Sequence, residues 1–164
     1  MKIQIVFLMY IPLILFKLSS WKFRKSCLNS FKINFMNKLE IDALTHKIIG
    51  CAMEVHNRLG SGFQELIYQR ALAIEMTFQG LTFEREKEMN IAYRDEIIGT
   101  RRADFFVEGK VMVELKAMEQ LLPVHKTQAI NYLEAYNIAD GLLINLGGMS
   151  LEFKRVYNKK FINP

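Results

Sequence analysis

Residues 101–117 read RRADFFVEGKVMVELKA, with a short apolar segment on either side of a turn that contains a glycine. Both segments alternate in polarity, which is typical of β-strands that bury one face. Because side chains alternate along a strand, the valines and Leu115 of the second segment share one face, and Glu114 and Lys116 share the other. The stretch therefore predicts a β-hairpin with an apolar core face and a charged face.

The apolar faces determine how the two strands pair. If Val107 lies opposite Val111, the apolar side chains of both strands point to the same side of the hairpin. That register also places Asp104 opposite Glu114, with their Cβ atoms about 5 Å apart. The register therefore predicts that the carboxylates of Asp104 and Glu114 are neighbours, with Lys116 beside them.

Two carboxylates at this spacing repel each other unless a cation lies between them. A hard divalent cation such as Mg²⁺ takes oxygen ligands and keeps several waters. Lys116 could then orient or deprotonate a bound water, or stabilise a developing negative charge. These groups are suited to phosphodiester hydrolysis. The alternative is an ordinary solvated cluster of cross-strand charges that includes Arg102, and the spacing alone does not exclude it.

Outside the hairpin, hydrophobic periodicity predicts a mixed α/β domain in the order α-α-β-β-β-α-β-β. The predicted elements are helices over 39–59, 64–78 and 123–137 and strands over 88–93, 102–107, 111–116, 141–145 and 151–157. In the second helix, the residues expected to be buried are Ile67, Ala71, Ile74 and Phe78.

Composition excludes several classes of protein. The chain has 164 residues, 51% of them hydrophobic, which is enough for one domain with a core and excludes global disorder. Its two cysteines exclude a disulfide scaffold. The net charge of +5 comes from the first 36 residues, because the rest of the chain holds 16 basic and 17 acidic residues. Net charge therefore gives no support for nucleic-acid binding by the body, although a local basic patch stays open.

The N-terminal segment has three interpretations. Residues 5–16, IVFLMYIPLILF, are uncharged and apolar but fall short of the roughly 20 residues that a membrane-spanning helix needs. The segment is a secretory signal or membrane anchor, a structural extension, or sequence upstream of a true start at Met36. The predicted organisation is an extension over 1–35 and a domain over 36–160.

Several motifs in order resemble one known family. Asp104 followed by Glu114-Leu115-Lys116 resembles the D…(D/E)-x-K core of the PD-(D/E)XK nuclease superfamily. GFQELIY (62–68) matches the motif of the GxxExxY proteins, a bacterial family placed in that superfamily. The resemblance covers about residues 36–157. It implies a restriction-endonuclease-like αβββαβ core, with a mixed sheet flanked by helices, an extra N-terminal helix and a C-terminal strand.

The resemblance also implies roles for single residues. The implied catalytic residues are Asp104, Glu114, Lys116 and Glu65. Asp104, Glu114, the Leu115 carbonyl and Glu65 would hold Mg²⁺ or Mn²⁺, Glu65 directly or through water. Gln128 and Tyr132 resemble a Q-xxx-Y element and, with Arg102, are expected to contact substrate. In the alternative interpretation, the Glu65 carboxylate only interacts favourably with the helix dipole. Gln128 and Tyr132 are then buried polar groups.

The expected function is metal-dependent hydrolysis of nucleic-acid phosphodiester bonds by a metal-activated water. The alternative is a non-catalytic module on the same fold that binds nucleic acid or protein. The expected partner is nucleic acid, DNA rather than RNA, and a homodimer could complete a basic groove. The body is expected to be cytoplasmic without membrane association, or exported or tethered if residues 1–20 are a real signal.

Overall fold

The structure is a computed structural model, and it describes residues 35–161. The chain divides into two compact units, Met1–Glu40 and Ile41–Pro164. In the first unit, the described residues 35–40 are helical and exposed. The interpretations of the apolar run over 5–16 lie outside the described residues. No helix among the described residues is long and apolar enough to cross a membrane.

The second unit begins with two helices. Helix α1 covers residues 41–59 of this unit, and helix α2 covers Glu65–Phe78. Between them, Gly60 and Gly62 have φ angles of 71° and 99°, a conformation that residues with a Cβ adopt rarely. The predicted apolar face of α1 is buried at Leu44, Ile48, Ala52 and Val55.

Helix α2 buries a different face from the predicted one. Its buried residues are Tyr68, Gln69, Leu72, Ala73 and Met76. Ile74 and Phe78, which were expected in the core, are 72% and 82% exposed. Apolar residues lie on both sides of this helix, so periodicity did not identify the side that packs. The prediction of the buried face was therefore wrong, although the helix itself is where the sequence placed it.

A five-stranded sheet follows in the order β1-β2-β3-β4-β5. The strands are β1 (Phe83–Tyr93), β2 (Glu96–Val107), β3 (Val111–Lys116), β4 (Asp140–Asn145) and β5 (Glu152–Tyr157). Strands β3 and β4 are parallel, and all other neighbours are antiparallel. Helix α3 (Pro123–Tyr136) makes the crossover that a parallel pair requires. A short 3-10 helix, Lys159–Phe161, follows β5. The predicted mixed α/β fold with its αβββαβ core is confirmed.

The sheet is covered on both faces at its centre. Phe105, Val113 and Leu115 pack against buried residues of α1 and α2. On the other face, Met112 and Leu143 pack against α3. The first five residues of β3 are buried, including Glu114. The charged face of β3, for which a solvated cluster was the alternative interpretation, is therefore largely inside the protein.

The hairpin of β1 and β2 extends further than predicted. The strands were expected to begin near residues 88 and 102, but they begin at Phe83 and Glu96. The first seven residues of β2 are all exposed, so no alternation of polarity marks them as a strand. The turn predicted at Arg94 and Asp95 is present, and both residues have positive φ angles, 48° and 68°.

Candidate active site

Strands β2 and β3 pair in the predicted register, with Val107 opposite Val111 and Phe105 opposite Val113. The ladder ends at the pair of Phe105 and Val113, and Asp104 lies just beyond that pair on β2. Its Oδ2 accepts a hydrogen bond of 2.7 Å from the main-chain N–H of Leu115. The carboxylate therefore connects the two strands at the point where the main-chain ladder stops.

Strand β2 changes face at Asp104. On β1, the residues on either side of Glu86 pair with Phe105 and Ala103, while Glu86 itself has a φ angle of 48°. Phe105 packs on the side of α1 and α2, whereas Ala103 packs on the side of α3. In a regular strand, Ala103 and Phe105 would point to the same side of the sheet. Because of this local irregularity, Ala103 points towards α3 instead.

Asp104 is also held from helix α2. Nε2 of the buried Gln69 donates a hydrogen bond of 3.2 Å to Oδ1 of Asp104. Oε1 of Gln69 accepts a bond of 3.1 Å from Arg85. The sequence analysis did not identify Gln69, but its spacing from Glu65 carried a signal, because residues four apart share a helix face.

Burial raises the pKa of the Asp104 carboxyl. The hydrogen bond from Leu115, the charge of Lys116 and the hydrogen bond from Gln69 lower the pKa, but they do not cancel the effect of burial. The cost of burying this carboxylate is therefore only partly offset by its neighbours.

Glu114 is the most strongly perturbed carboxyl of the site. Its residue is 8% exposed, and burial raises its pKa to about 7, with Lys116 lowering it and Asp104 raising it. Its Oε1 lies 2.9 Å from Nζ of Lys116, while Oε2 is buried without a hydrogen-bond partner among the described residues. Glu114 is therefore not part of a solvated charge cluster.

Lys116 makes two close contacts within its own strand. Nζ donates hydrogen bonds of 2.9 Å to Oε1 of Glu114 and 2.8 Å to the carbonyl of Leu115. Burial disfavours the charged ammonium, but Glu114, Glu65 and Asp104 together raise the pKa of Lys116. The side chain therefore holds its proton at neutral pH.

Glu65, the first residue of α2, faces the same site. Partial burial raises its pKa, the charge of Lys116 lowers it, Asp104 raises it, and a hydrogen bond from the main chain of Ala117 lowers it. Glu65 remains exposed, unlike Glu114. The structure thus brings the four residues predicted as catalytic within electrostatic reach of one another.

The residues expected to contact substrate are placed differently. On α3, Nε2 of Gln128 donates a hydrogen bond of 2.6 Å to the hydroxyl of Tyr132, which is buried. In the described part of the chain, no hydrogen bond links this pair to the carboxylates. Arg102 lies on the exposed hairpin and pairs with Glu88 at 3.2 Å. Within residues 35–161, none of the three shares a hydrogen bond or ion pair with the four residues above.

The end of β3 is held in place by β4. The buried Asn145 accepts a hydrogen bond of 3.0 Å from the main-chain N–H of Met118 and donates one of 2.8 Å to its carbonyl. A Cβ on Gly147 would lie 2.3 Å from the nitrogen of Met118, so only glycine fits there. The sequence analysis missed the role of Asn145, which keeps the chain after Lys116 in position.

Across residues 35–161, no group of three or more His, Cys, Asp or Glu side chains is assembled to hold a metal ion. The groups present nevertheless suit a hard cation, since Asp104 and Glu114 supply carboxylate oxygens and the Oε2 atom of Glu114 has no hydrogen-bond partner in the described part of the chain. An unsatisfied buried carboxylate oxygen is costly without a cation or hydrogen bond. The donor set therefore fits Mg²⁺ or Mn²⁺.

The family to which the sequence matches agrees with this geometry. Residues 42–156, more than half of the chain, match the family described as the PD-(D/E)XK nuclease superfamily. A solved structure titled "Crystal structure of SSO0001" is 20% identical with a TM-score of 0.48, covering 56% of this chain and 49% of that one. The chain thus spans about half the length of that structure. Among curated proteins, none matches the sequence.

Proposed function

This chain belongs to the PD-(D/E)XK nuclease superfamily, and on that premise we propose that it is a metal-dependent nuclease. It hydrolyses nucleic-acid phosphodiester bonds with a metal-activated water. The observation that carries the proposal is the buried Glu114 with its unpartnered Oε2, next to Asp104 and in contact with Lys116. We propose further that the chain is a GxxExxY protein whose nuclease-like domain covers residues 36–160.

In this proposal Asp104, Glu114 and the carbonyl of Leu115 hold Mg²⁺ or Mn²⁺, and Glu65 supports them directly or through water. When bound, the cation polarises the phosphate and promotes ionisation of water. Asp104 is pre-oriented for this role, because Leu115 and Gln69 hold its two oxygens. Such preorganisation lowers the cost of assembling the site during reaction.

Lys116 acts as a cation in this proposal and not as a base. Its pKa is raised by the surrounding carboxylates, so the ammonium form persists at neutral pH. During in-line attack, the water oxygen loses its proton to solvent and bonds to phosphorus as the bond to the leaving oxygen breaks. Negative charge grows on the phosphate oxygens, and the leaving oxygen takes a proton from solvent. A fixed ammonium beside the reacting phosphate stabilises that charge.

The substrate is proposed to be nucleic acid, DNA rather than RNA. Gln128 and Tyr132 offer polar groups from α3, and Arg102 offers a positive charge once it is released from Glu88. Because the body carries about as many acids as bases, we propose a homodimer that combines two surfaces into one groove. We also propose a cytoplasmic location for the body.

The test is a cleavage assay on the full chain, with single-stranded, duplex and branched DNA and RNA and with Mg²⁺, Mn²⁺ or EDTA. Glu114→Ala and Lys116→Ala are compared with Glu96→Ala, which removes an exposed carboxylate at the far end of β2. We expect metal-dependent cutting that the first two variants reduce at least 100-fold, about the effect of removing a group that stabilises the transition state. Glu96→Ala should cut like the wild type.

Equal cutting by the wild type and Glu114→Ala would overturn the assignment. A folded wild type that neither cuts nor binds Mg²⁺ in calorimetry would also overturn it. That outcome would instead favour a non-catalytic module that binds nucleic acid or protein.

A further inference from the structure

Arg101 lies on the α3 side of the sheet, next to the candidate site. It pairs with Met89 of β1 and precedes Ala103, and both of these residues pack on the α3 face. The guanidinium carbon of Arg101 lies 6.0 Å from the ring centroid of Tyr132. The change of face at Asp104 therefore places this arginine over α3, whereas Arg102 pairs with Glu88.

The guanidinium of Arg101 has no carboxylate partner and no hydrogen bond among residues 35–161. The cation–π contact with the buried Tyr132 ring restrains the guanidinium, while its N–H groups stay available. Arg101 is also exposed. The residue thus presents an oriented and unpaired fork of donors to solvent.

The hydroxyl of Tyr136 connects this arginine electrostatically with the carboxylates. Burial raises the pKa of Tyr136, Tyr132 adds to the rise, Arg101 lowers the pKa, and Glu114 raises it. Arg101 and Glu114 therefore both lie within electrostatic reach of one hydroxyl. The rings of Tyr132 and Tyr136 are 6.2 Å apart on successive turns of α3, so Arg101, Tyr132 and Tyr136 form a row of neighbouring side chains.

The carboxylate site needs such a cation. Glu65, Asp104 and Glu114 all act electrostatically on Lys116, so without the metal these four residues carry more carboxylates than cations and disfavour a polyanion. An arginine binds phosphate through two parallel N–H···O bonds, which adds orientation to charge. A phosphate bound at Arg101 would hold the strand beside the carboxylates without competing for them.

We infer that Arg101, in cation–π contact with Tyr132, is a phosphate-binding subsite that holds the nucleic-acid strand next to the phosphate that is cleaved. The inference rests on the proposed nuclease function and extends it by naming the group that positions the polyanion. Arg101 lies three positions before Asp104 and outside the D…(D/E)-x-K residues.

The test measures strand binding separately from cutting. Fluorescence anisotropy with labelled single-stranded and duplex DNA in EDTA gives Kd for the full chain at several salt concentrations. Steady-state cutting in Mg²⁺ gives KM and kcat. The variants are Arg101→Ala and Arg101→Lys, with Arg94→Ala as the matched control. Arg94 also stacks on a tyrosine, at 5.6 Å from the Tyr93 ring, but at the far turn of the hairpin.

We expect Arg101→Ala to raise Kd and KM about tenfold and to reduce the salt dependence of binding by about one unit of slope. Arg101→Lys keeps the charge but loses the planar fork, so Kd should rise about threefold. Arg94→Ala should stay within about twofold of the wild type, although it removes the same charge. Circular dichroism melting checks that each variant is folded. If Arg101→Ala does not fold, the Kd of Arg101→Lys decides the test.

The outcomes separate this inference from the proposed function. If the wild type cuts DNA but Arg101→Ala keeps its Kd and KM, the subsite is overturned and the nuclease stands. If affinity depends on Arg101 but no metal produces cutting, the subsite stands and the nuclease is overturned. Equal losses in Arg101→Ala and Arg94→Ala show only general charge attraction and overturn the subsite. A wild type that binds no DNA overturns both.

Discussion

The ammonium of Lys116 lies 2.9 Å from Oε1 of Glu114, and only one residue separates them on β3. Both side chains are more than four-fifths buried, at 15% and 10% exposure. Removing two charges from water is expensive, and one ion pair repays that cost only when all polar atoms are satisfied. Here Oε2 of Glu114 has no partner among the described residues. The pair is therefore better explained by a role in the chemistry of the candidate site than by a contribution to the stability of the fold.

The first prediction concerns stability against pH in the metal-free protein. Burial raises the pKa of Glu114 from an ordinary 4.5 to about 7. Between these values the folded state binds a proton that the unfolded state has released, so stability falls as pH rises. The contribution reaches about 1.4 kcal/mol per pH unit. Urea unfolding in EDTA from pH 4.5 to 7.5 should show this slope, and Glu114→Gln should reduce it to the part that comes from the raised pKa values of Asp104 and Glu65.

The control for this slope is Glu96→Gln, an exposed carboxylate that should leave the pH dependence as in the wild type. If the stability curves of the wild type and Glu114→Gln run parallel over the whole range, Glu114 titrates normally and the prediction fails.

The second prediction concerns metal affinity against pH. A cation binds the ionised carboxylate, so below about pH 7 binding must displace the proton on Glu114. Mg²⁺ affinity should therefore rise by up to about tenfold per pH unit below that pKa and level off above it. Calorimetry in buffers of different ionisation enthalpy would detect the released proton. Proton release that Glu114→Gln retains would assign the effect to another group.

The third prediction concerns Gln69, which donates to Asp104 and accepts from Arg85. Gln69→Ala removes both bonds within a buried setting and should cost about 1–3 kcal/mol of stability. Groups that orient a metal ligand contribute further, so Mg²⁺ affinity should fall about tenfold. Urea unfolding and calorimetry measure the two effects separately.

Gln79→Ala is the matched control for Gln69→Ala. Gln79, the C-cap residue of α2, donates a hydrogen bond of 3.2 Å to Glu75, but this bond is exposed. Its loss should change stability by less than about 0.5 kcal/mol and leave metal affinity unchanged. If Gln69→Ala lowers stability without any change in Mg²⁺ affinity, Gln69 supports the fold and does not position Asp104.

The hairpin was predictable from sequence because one pattern determined its register. Val107 and Val111 share an apolar face only in the observed pairing, so the position of Asp104 near β3 followed from hydrophobicity. The burial of Glu114 did not follow. Met112 and Glu114 lie on the same face, and helix α3, which covers that face, is distant in sequence.

The contacts missed from sequence share one physical reason. Gln69 and Asn145 are buried amides whose partners lie 35 and 27 residues away along the chain. Amide groups bond to whatever the fold brings near, and no local periodicity encodes such partners. The buried face of α2 was mistaken for a related reason, since Ile74 and Phe78 are as apolar as the residues that do pack.

The fourth prediction concerns Tyr68, the last residue of the GFQELIY motif. Its ring is fully buried, and its hydroxyl donates a hydrogen bond of 2.8 Å to the carbonyl of Gly60 and accepts one of 3.3 Å from the N–H of Phe63. These bonds fix the turn that leads into Glu65. Tyr68→Phe should therefore cost about 1–2 kcal/mol in urea unfolding.

Tyr68 makes no hydrogen bond to Asp104 or Glu114 among the described residues, so Mg²⁺ affinity should change less than about threefold with Tyr68→Phe, and Glu65→Gln should change it more. Tyr93→Phe, at the exposed turn of the hairpin, controls for loss of a tyrosine hydroxyl. It should change neither the stability nor the Mg²⁺ affinity. Unchanged stability together with a tenfold loss of cutting would contradict a structural role, because a hydroxyl that acts on the substrate costs activity without affecting the fold.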